Sequence, residues 1–239
     1  MILTYDERKT KKIYEDIKNF DENIVEIFPS KDILFYKVDA ISSERTNERL
    51  KALSRLIKGD PIIVVAHIEG ILNKLIAPNI FKKQSIELDI NSKIVLEDLA
   101  IKLVNSGYER ESMVEGVGQF SIRGGIVDFY PPNSENPYRI EMFDDEVDSI
   151  RTFNVETQRS LEMVKAVFIP PAKEILILDD YRDETLENMG KALKTTTNKL
   201  EKGSKIRQNL EDKFKGYMEE LKEKLYISNM DMIIPFIPE

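Results

Sequence analysis

The chain has 239 residues, 41% of them hydrophobic and 33% charged, which allows one large or two small domains with cores of their own and argues against a disordered polymer. Cysteine is absent, which excludes disulfides and thiolate metal sites and fits a reducing cytoplasm; no apolar run approaches the ~20 residues that span a bilayer, and no signal-peptide pattern opens the chain. The net charge of -8 sets the overall field against phosphate, so autonomous DNA binding is not expected.

In chain order, Ile2-Leu3-Thr4-Tyr5 reads as a buried strand, followed by a helix with Ile13, Ile17 and Phe20 on one stripe. Ile24 to Phe28 is a second strand, stopped by Pro29. Ser43 to Leu56 is a helix whose apolar side carries Leu50, Leu53, Leu56 and Ile57. Gly59-Asp60-Pro61 breaks the chain before a third strand, Ile62 to Ala66. Continuous β-branched runs joined by helices predict a parallel sheet of the doubly wound α/β kind. After about residue 85 the pattern changes. One helix, Val95 to Asn105, precedes strands at Gln119 to Tyr130, Tyr138 to Phe143, Glu146 to Phe153 and Val164 to Ile169. Short turns at Pro131-Pro132-Asn133-Ser134 and Asp144-Asp145 mark antiparallel hairpins. Along Tyr138 to Phe143, alternation puts Ile140 and Met142 on a buried face, opposite Arg139, Glu141 and Phe143. Beyond Pro170-Pro171 the chain returns to Lys- and Glu-rich helices, and Met232 to Phe236 reads as an edge strand. The expected organisation is a first α/β part at residues 1–84, a small α+β domain at 85–172 and a helical segment at 173–239 that packs back on the α/β domain.

Catalytic patterns are weak. His67, the only histidine, has no Cys, Ser or Asp at a useful spacing and reads as a strand-end residue. Gly190-Lys191 lies in a polar helical stretch without the second glycine and the strand that a phosphate-binding loop requires. Gly116-Val117-Gly118 precedes a strand rather than opening a helix. Asp144, Asp145, Glu146 and Asp148 read as hairpin-turn residues more than as a magnesium site, because alternation throws them onto different faces. From Lys191 to Lys224, glutamates interrupt the lysines, which describes a solvated helix face. No catalytic residue, metal site or cofactor is assigned.

The run GQFSIRGGIVDFYPPNSENPYRIEMFDDEVDSIRTFNVETQRSL, Gly118 to Leu161, is specific. It resembles the UvrA-contacting domain shared by UvrB and the transcription-repair coupling factors. Thr157-Gln158-Arg159-Ser160 and the helix Glu48 to Leu56 leading into IIVVAHIEGIL resemble the coupling-factor branch. The likeness is good from residue 1 to about 175 and weaker to the end. Two departures are small: Asp144 stands where many relatives have Gly, and Gln119 where many have Glu. UvrB carries a long aromatic hairpin that clamps DNA, but here Phe35-Tyr36 leads within a few residues through Ile41 to Glu44 into the next helix, leaving no room for one. The resemblance implies a P-loop-NTPase-like α/β domain without a P-loop, and it makes Met1 the start of a piece excised from a longer protein. It implies no ATPase here, UvrA as partner, and RNA polymerase and DNA as partners of the full-length protein through other domains, with no membrane. The rival reading is a fragment of an ATP-dependent DNA translocase or a UvrB-like protein with its own DNA binding. Arg139 and Phe143, four apart on one strand, share its solvent face; Arg123 precedes Gly124-Gly125, a pair that fits a bulge or a close backbone approach. The resemblance assigns these three residues to UvrA contact.

Overall fold

The three apolar runs read as strands in the first third, at Ile2, Ile24 and Ile62, form one parallel sheet. In the computed structural model, which describes residues 1–31, 43–72, 75, 77–177, 179–223, 227 and 230–238, β1 is Ile2–Thr4, β2 Val25–Phe28 and β3 Ile63–His67. The sheet order is β1-β3-β2 with both ladders parallel. Central position explains the composition of β3, where Val64, Val65 and Ala66 are buried. The intervening helices are α1 (Glu7–Lys18) and α2 (Ser43–Lys58), followed by the short α3 (Ile68–Leu72) and α4 (Pro78–Gln84). Asp6 caps α1, its Oδ1 accepting from Arg8 N at 2.8 Å. Phe20 falls beyond α1 and is exposed, so only Ile13 and Ile17 of its expected stripe are partly covered. The segment from Phe35 to Ser42, where room for a clamp is in question, lies outside the described residues.

On α2 the structure departs from the apolar pattern. Leu56 is exposed, while Arg49 is buried at 1% exposure. Arg49 Nη1 donates to the carbonyls of Pro29 (2.7 Å) and Gly70 (3.0 Å), its Nε donates to Glu174, and the guanidinium lies 4.0 Å from the Phe28 ring centroid. Lys31 Nζ also meets Glu174, at 2.6 Å. A buried charge is tolerated when it is paired and hydrogen-bonded; Arg49 meets that condition through Nε and Nη1, while its buried Nη2 finds no hydrogen-bond partner among the described residues.

The antiparallel part begins with β4 (Ile86–Asp89), which pairs with β11 (Ala166–Ile169). Between them lie α5 (Leu96–Asn105) and a six-stranded sheet ordered β10-β9-β8-β7-β6-β5, with β5 Glu109–Arg110, β6 Gln119–Arg123, β7 Ile126–Phe129, β8 Tyr138–Phe143, β9 Glu146–Phe153 and β10 Ser160–Val164. Leu99 and Leu103 of α5 enter a core with Phe120, Val127, Phe129, Ile140 and Ile150, each almost fully buried and each contributing ~1.5–3 kcal/mol of apolar transfer. Met142 packs partly buried against the same cluster, so Ile140 and Met142 share the inner face as alternation predicts. The Tyr108 hydroxyl donates to Pro170 O at 2.8 Å, and its burial pushes the phenol well above its usual pKa.

Two strand expectations need correction. Gln119 to Tyr130 is not one bulged strand: Arg123 pairs with Ile126, so Gly124-Gly125 is the two-residue turn of the β6–β7 hairpin. Gly124 takes φ +60°, and a Cβ on Gly125 would lie 2.9 Å from the Met142 carbonyl oxygen. Gly125→Ala should therefore cost ~1–3 kcal/mol, read as a lowered denaturant midpoint; an unchanged midpoint would show that β8 yields at no cost. Val164 to Ile169 is two strands, β10 ending at Val164 and β11 starting at Ala166, because the chain changes sheets at Lys165.

The chain divides into two compact units, Met1–Glu174 and Ile175–Glu239. In the second, α6 (Asp179–Thr197) and α7 (Lys205–Glu223) enclose Ile177, Met189, Tyr217, Leu221, Ile227 and Ile233. The expected edge strand at Met232 to Phe236 is instead 3-10 turns at Met230–Met232 and Ile234–Phe236. Pro235 supplies no backbone donor and favours the start of a turn over a ladder.

Candidate functional site

The outer face of the six-stranded sheet is built in lateral rows. Ladder register aligns Ser121, Asp128, Arg139, Arg151 and Met163 across β6 to β10. The next row holds Arg123, Ile126, Glu141 and Ser149. Opposite residues share a face, so Arg123 and Arg139 come to one surface although they lie on strands separated by β7. Their meeting point is Asp128. Arg139 Nε donates to Asp128 Oδ1 (2.7 Å) and Nη2 to Oδ2 (2.8 Å), a bidentate fork, while Arg123 Nη2 donates to the same Oδ2 at 2.6 Å. Asp128 is 1% exposed; the Arg139 and Arg123 side chains are 15% and 49% exposed. Arg139 also stacks 4.7 Å from the Phe153 ring centroid. Its hydrogen bonds to Asp128 raise its pKa further, so it stays charged at any working pH.

Phe143 ends β8 with 78% of its surface open, next to the Asp144-Asp145 turn. Thus the three residues expected at the site stand on one sheet face, two of them joined through a shared carboxylate and the third free of the core. Asp144 adopts φ 58°, a conformation that glycine takes without strain and that Asp tolerates in turns. The pairing of Glu141 with Ser149 and of Met142 with Val147 leaves Asp148 as the extra residue of a β9 bulge.

Arg151 and Met163, which the sequence did not single out, extend this surface together with the Thr157 to Ser160 turn, which it did. Arg151 Nη2 donates to Glu141 Oε2 at 2.7 Å, and Met163 is 74% exposed on the edge strand beside Arg151. The Thr157-Gln158-Arg159-Ser160 run forms a turn in which Asn154 Oδ1 accepts from Thr157 N at 2.8 Å. Gln158 takes φ 57°, its side-chain amide donates to Val155 O (2.7 Å), and its carbonyl accepts from Arg139 Nη1 (3.4 Å). Asp128 was hidden by its place in an apolar run; the available signal was that alternation puts it opposite Val127 and Phe129.

The other candidates are accounted for by local structure. His67 ends β3 and is buried, with Nδ1 3.9 Å from Glu69 Oε2. It lines a cavity of about 330 Å³ with Glu7, Arg8, Lys11, Arg45 and Glu48. Hydrogen bonds from Arg45 and then Ser30 hold the Glu7 carboxyl down at about 2. Burial, then the nearby Glu44, raises that of Glu48. An acid with a raised folded pKa binds its proton more tightly when folded, so its contribution to stability falls as pH rises from the ordinary glutamate value through the raised one. Glu48→Gln should accordingly raise the denaturant midpoint at pH 7 while changing it little at pH 4; a lower midpoint at pH 7 would contradict this. Gly190 lies inside α6. The Gly116 to Gly118 loop is closed by Gln119, whose Oε1 accepts from Glu115 N (2.9 Å) and Gly116 N (2.8 Å). Glu146 pairs with Lys93 at 2.7 Å, and among the described residues no cluster of His, Asp and Glu is arranged to hold a metal. Helix charges such as Arg207 and Glu211 pair along their own helix at 2.8 Å.

Comparison with known proteins bears first on the antiparallel part: residues 86–175 match the family described as UvrB interaction domain. This segment contains β4 to β11 and with them the whole sheet face described above. Similarity to whole relatives reaches further along the chain. The chain is 36% identical over 83% of its length to the transcription-repair-coupling factor of Bacillus subtilis (strain 168), and 34% identical over 91% to that of Staphylococcus epidermidis. To the transcription-repair-coupling factor of Staphylococcus aureus (strain USA300) it is 31% identical over 91%. It spans 17% to 18% of the length of these relatives. The resemblance expected from the Gly118 to Leu161 run is therefore found, and no helix among the described residues is long and apolar enough to cross a membrane.

Proposed function

We propose that the chain is a protein-docking module that recruits UvrA to stalled transcription sites for nucleotide excision repair, with Arg123, Arg139 and Phe143 at the centre of the contact. The carrying observation is an exposed aromatic beside two arginines on one sheet face, inside the segment that matches the UvrB interaction domain. The chemistry suits the role: an aromatic anchor excludes water at an interface centre, and guanidinium forks pair with carboxylates. The α/β part is a P-loop-NTPase-like scaffold without a P-loop, and it works in the cytoplasm. In the longer relatives, ATP-driven translocation and contact with RNA polymerase and DNA belong to other domains. Size exclusion of the chain mixed with UvrA tests the reading: co-elution supports it, and separate peaks at micromolar concentrations overturn it.

The rival reading, a fragment with motor or DNA-binding activity of its own, makes the opposite forecast. We expect no ATP affinity at micromolar concentrations by calorimetry, because no glycine-rich loop with Lys-Ser/Thr opens a helix to cradle phosphates. Duplex DNA should bind no better than the nonspecific range of about 10⁻⁴–10⁻⁶ M near physiological salt, given the charge of -8. Tight ATP binding or submicromolar DNA affinity would favour the rival.

A further inference from the structure

We propose that Asp128 is a positioning residue of this docking surface: its buried carboxylate fixes the Arg123 and Arg139 guanidiniums in the geometry that the partner reads. The inference rests on the docking reading above. Asp128 touches no partner itself, being 1% exposed beneath the two arginines. Its acceptors are matched to its neighbours. Oδ1 takes Arg139 Nε, and Oδ2 takes both Arg139 Nη2 and Arg123 Nη2, all between 2.6 and 2.8 Å. Strand register dictates this convergence, because Asp128 stands opposite Arg139 and two residues from Ile126, the partner of Arg123. The Phe153 ring beneath Arg139 and the Gln158 carbonyl beside it leave that guanidinium little freedom. Among the described residues Arg123 has Asp128 as its one hydrogen-bond partner, so the Nε and Nη1 donors of its half-exposed side chain remain for a carboxylate-bearing partner surface.

Two opposite effects of a buried carboxylate compete. It neutralises part of the arginines' charge, which weakens long-range attraction to an acidic partner. It also removes rotamer freedom that docking would otherwise have to freeze, at ~0.5–1.5 kcal/mol for each long side chain. Contact distances here are short and salt screens exposed charge beyond about 8–10 Å, so pre-ordering outweighs masking. The sign of the effect follows: loss of the carboxylate weakens docking although it makes the surface more positive.

The test is calorimetric titration of UvrA with the parent chain, Asp128→Asn, Arg139→Ala and the double variant, each checked for folding by circular dichroism. The expected result is about tenfold weaker binding by D128N, shrinking to less than about threefold when Arg139 is already alanine, because the carboxylate acts through that guanidinium. Equal or tighter binding by D128N would overturn the inference and make Asp128 a charge mask. An undiminished loss in the Arg139→Ala background would also overturn it, since the single hydrogen bond to Arg123 would then carry an effect assigned to both guanidiniums. Should D128N fail to fold, Asp128→Glu keeps the charge and displaces the carboxylate by one methylene; weaker binding supports positioning and parental binding refutes it. A parent chain that fails to bind UvrA sinks the docking reading itself, a result separate from either overturning outcome.

Discussion

Replacing Arg49 by Met will cost about 3–5 kcal/mol of folding stability, a large part of the ~5–15 kcal/mol that holds a typical domain together. The expectation rests on what the substitution leaves behind. Glu174, 6% exposed, loses its arginine and keeps only Lys31 as a charged partner among the described residues. The carbonyls of Pro29 and Gly70 lose their donor in a region that water does not reach freely, and stranded acceptors are expensive. Gly70 approaches so closely that a Cβ there would lie 2.6 Å from the Pro29 carbonyl oxygen, so the backbone has little room to rearrange around the loss. Equilibrium denaturation of Arg49→Met, Glu174→Gln and the double variant measures the coupling. A loss below about 1 kcal/mol for Arg49→Met would show that the buried pair is structurally dispensable.

The second large effect is on docking. Arg123→Ala and Phe143→Ala should each weaken UvrA binding by about 2 kcal/mol or more, roughly 30-fold, with little change in stability. Both side chains are open to solvent, at 49% and 78% exposure, so neither holds up the core. Arg139→Ala should weaken binding by a similar amount but will also destabilise the fold, because it deprives a buried carboxylate of its bidentate partner. The three losses are not additive, since Arg123 and Arg139 share Asp128. Parental UvrA affinity in folded Phe143→Ala and Arg123→Ala proteins would remove both residues from the interface.

Much of this architecture is legible in the sequence because periodicity carries it. Continuous runs such as Ile63-Val64-Val65-Ala66 give the parallel sheet, and the alternation of Arg139, Glu141 and Phe143 against Ile140 and Met142 gives the orientation of β8. What periodicity does not carry is pairing. Paired glycines inside a strand pattern read as a bulge or a close backbone approach; the approach is there, at Gly125 against Met142, but the pairing of Arg123 with Ile126 makes the pair a hairpin turn. Arg49 looks like a surface residue beside Leu50 because its partner, Glu174, lies 125 positions away in sequence. Asp128 is hidden for the same reason: the arginines that explain its burial come from the strands on either side. The apolar Ile233-Ile234-Pro235-Phe236 run has strand composition but closes as turns around a core of its own. The residues proposed for docking come from resemblance, since an exposed Phe and two arginines carry no periodic signal.

The most direct measurement is calorimetric titration of UvrA with the folded parent chain beside the folded Arg123→Ala/Phe143→Ala double variant. The docking account predicts a saturable isotherm for the parent and at least a roughly 30-fold weaker one for the variant, the loss expected of even one central anchor. No heat from the parent, or superimposable isotherms from the two proteins, would contradict it.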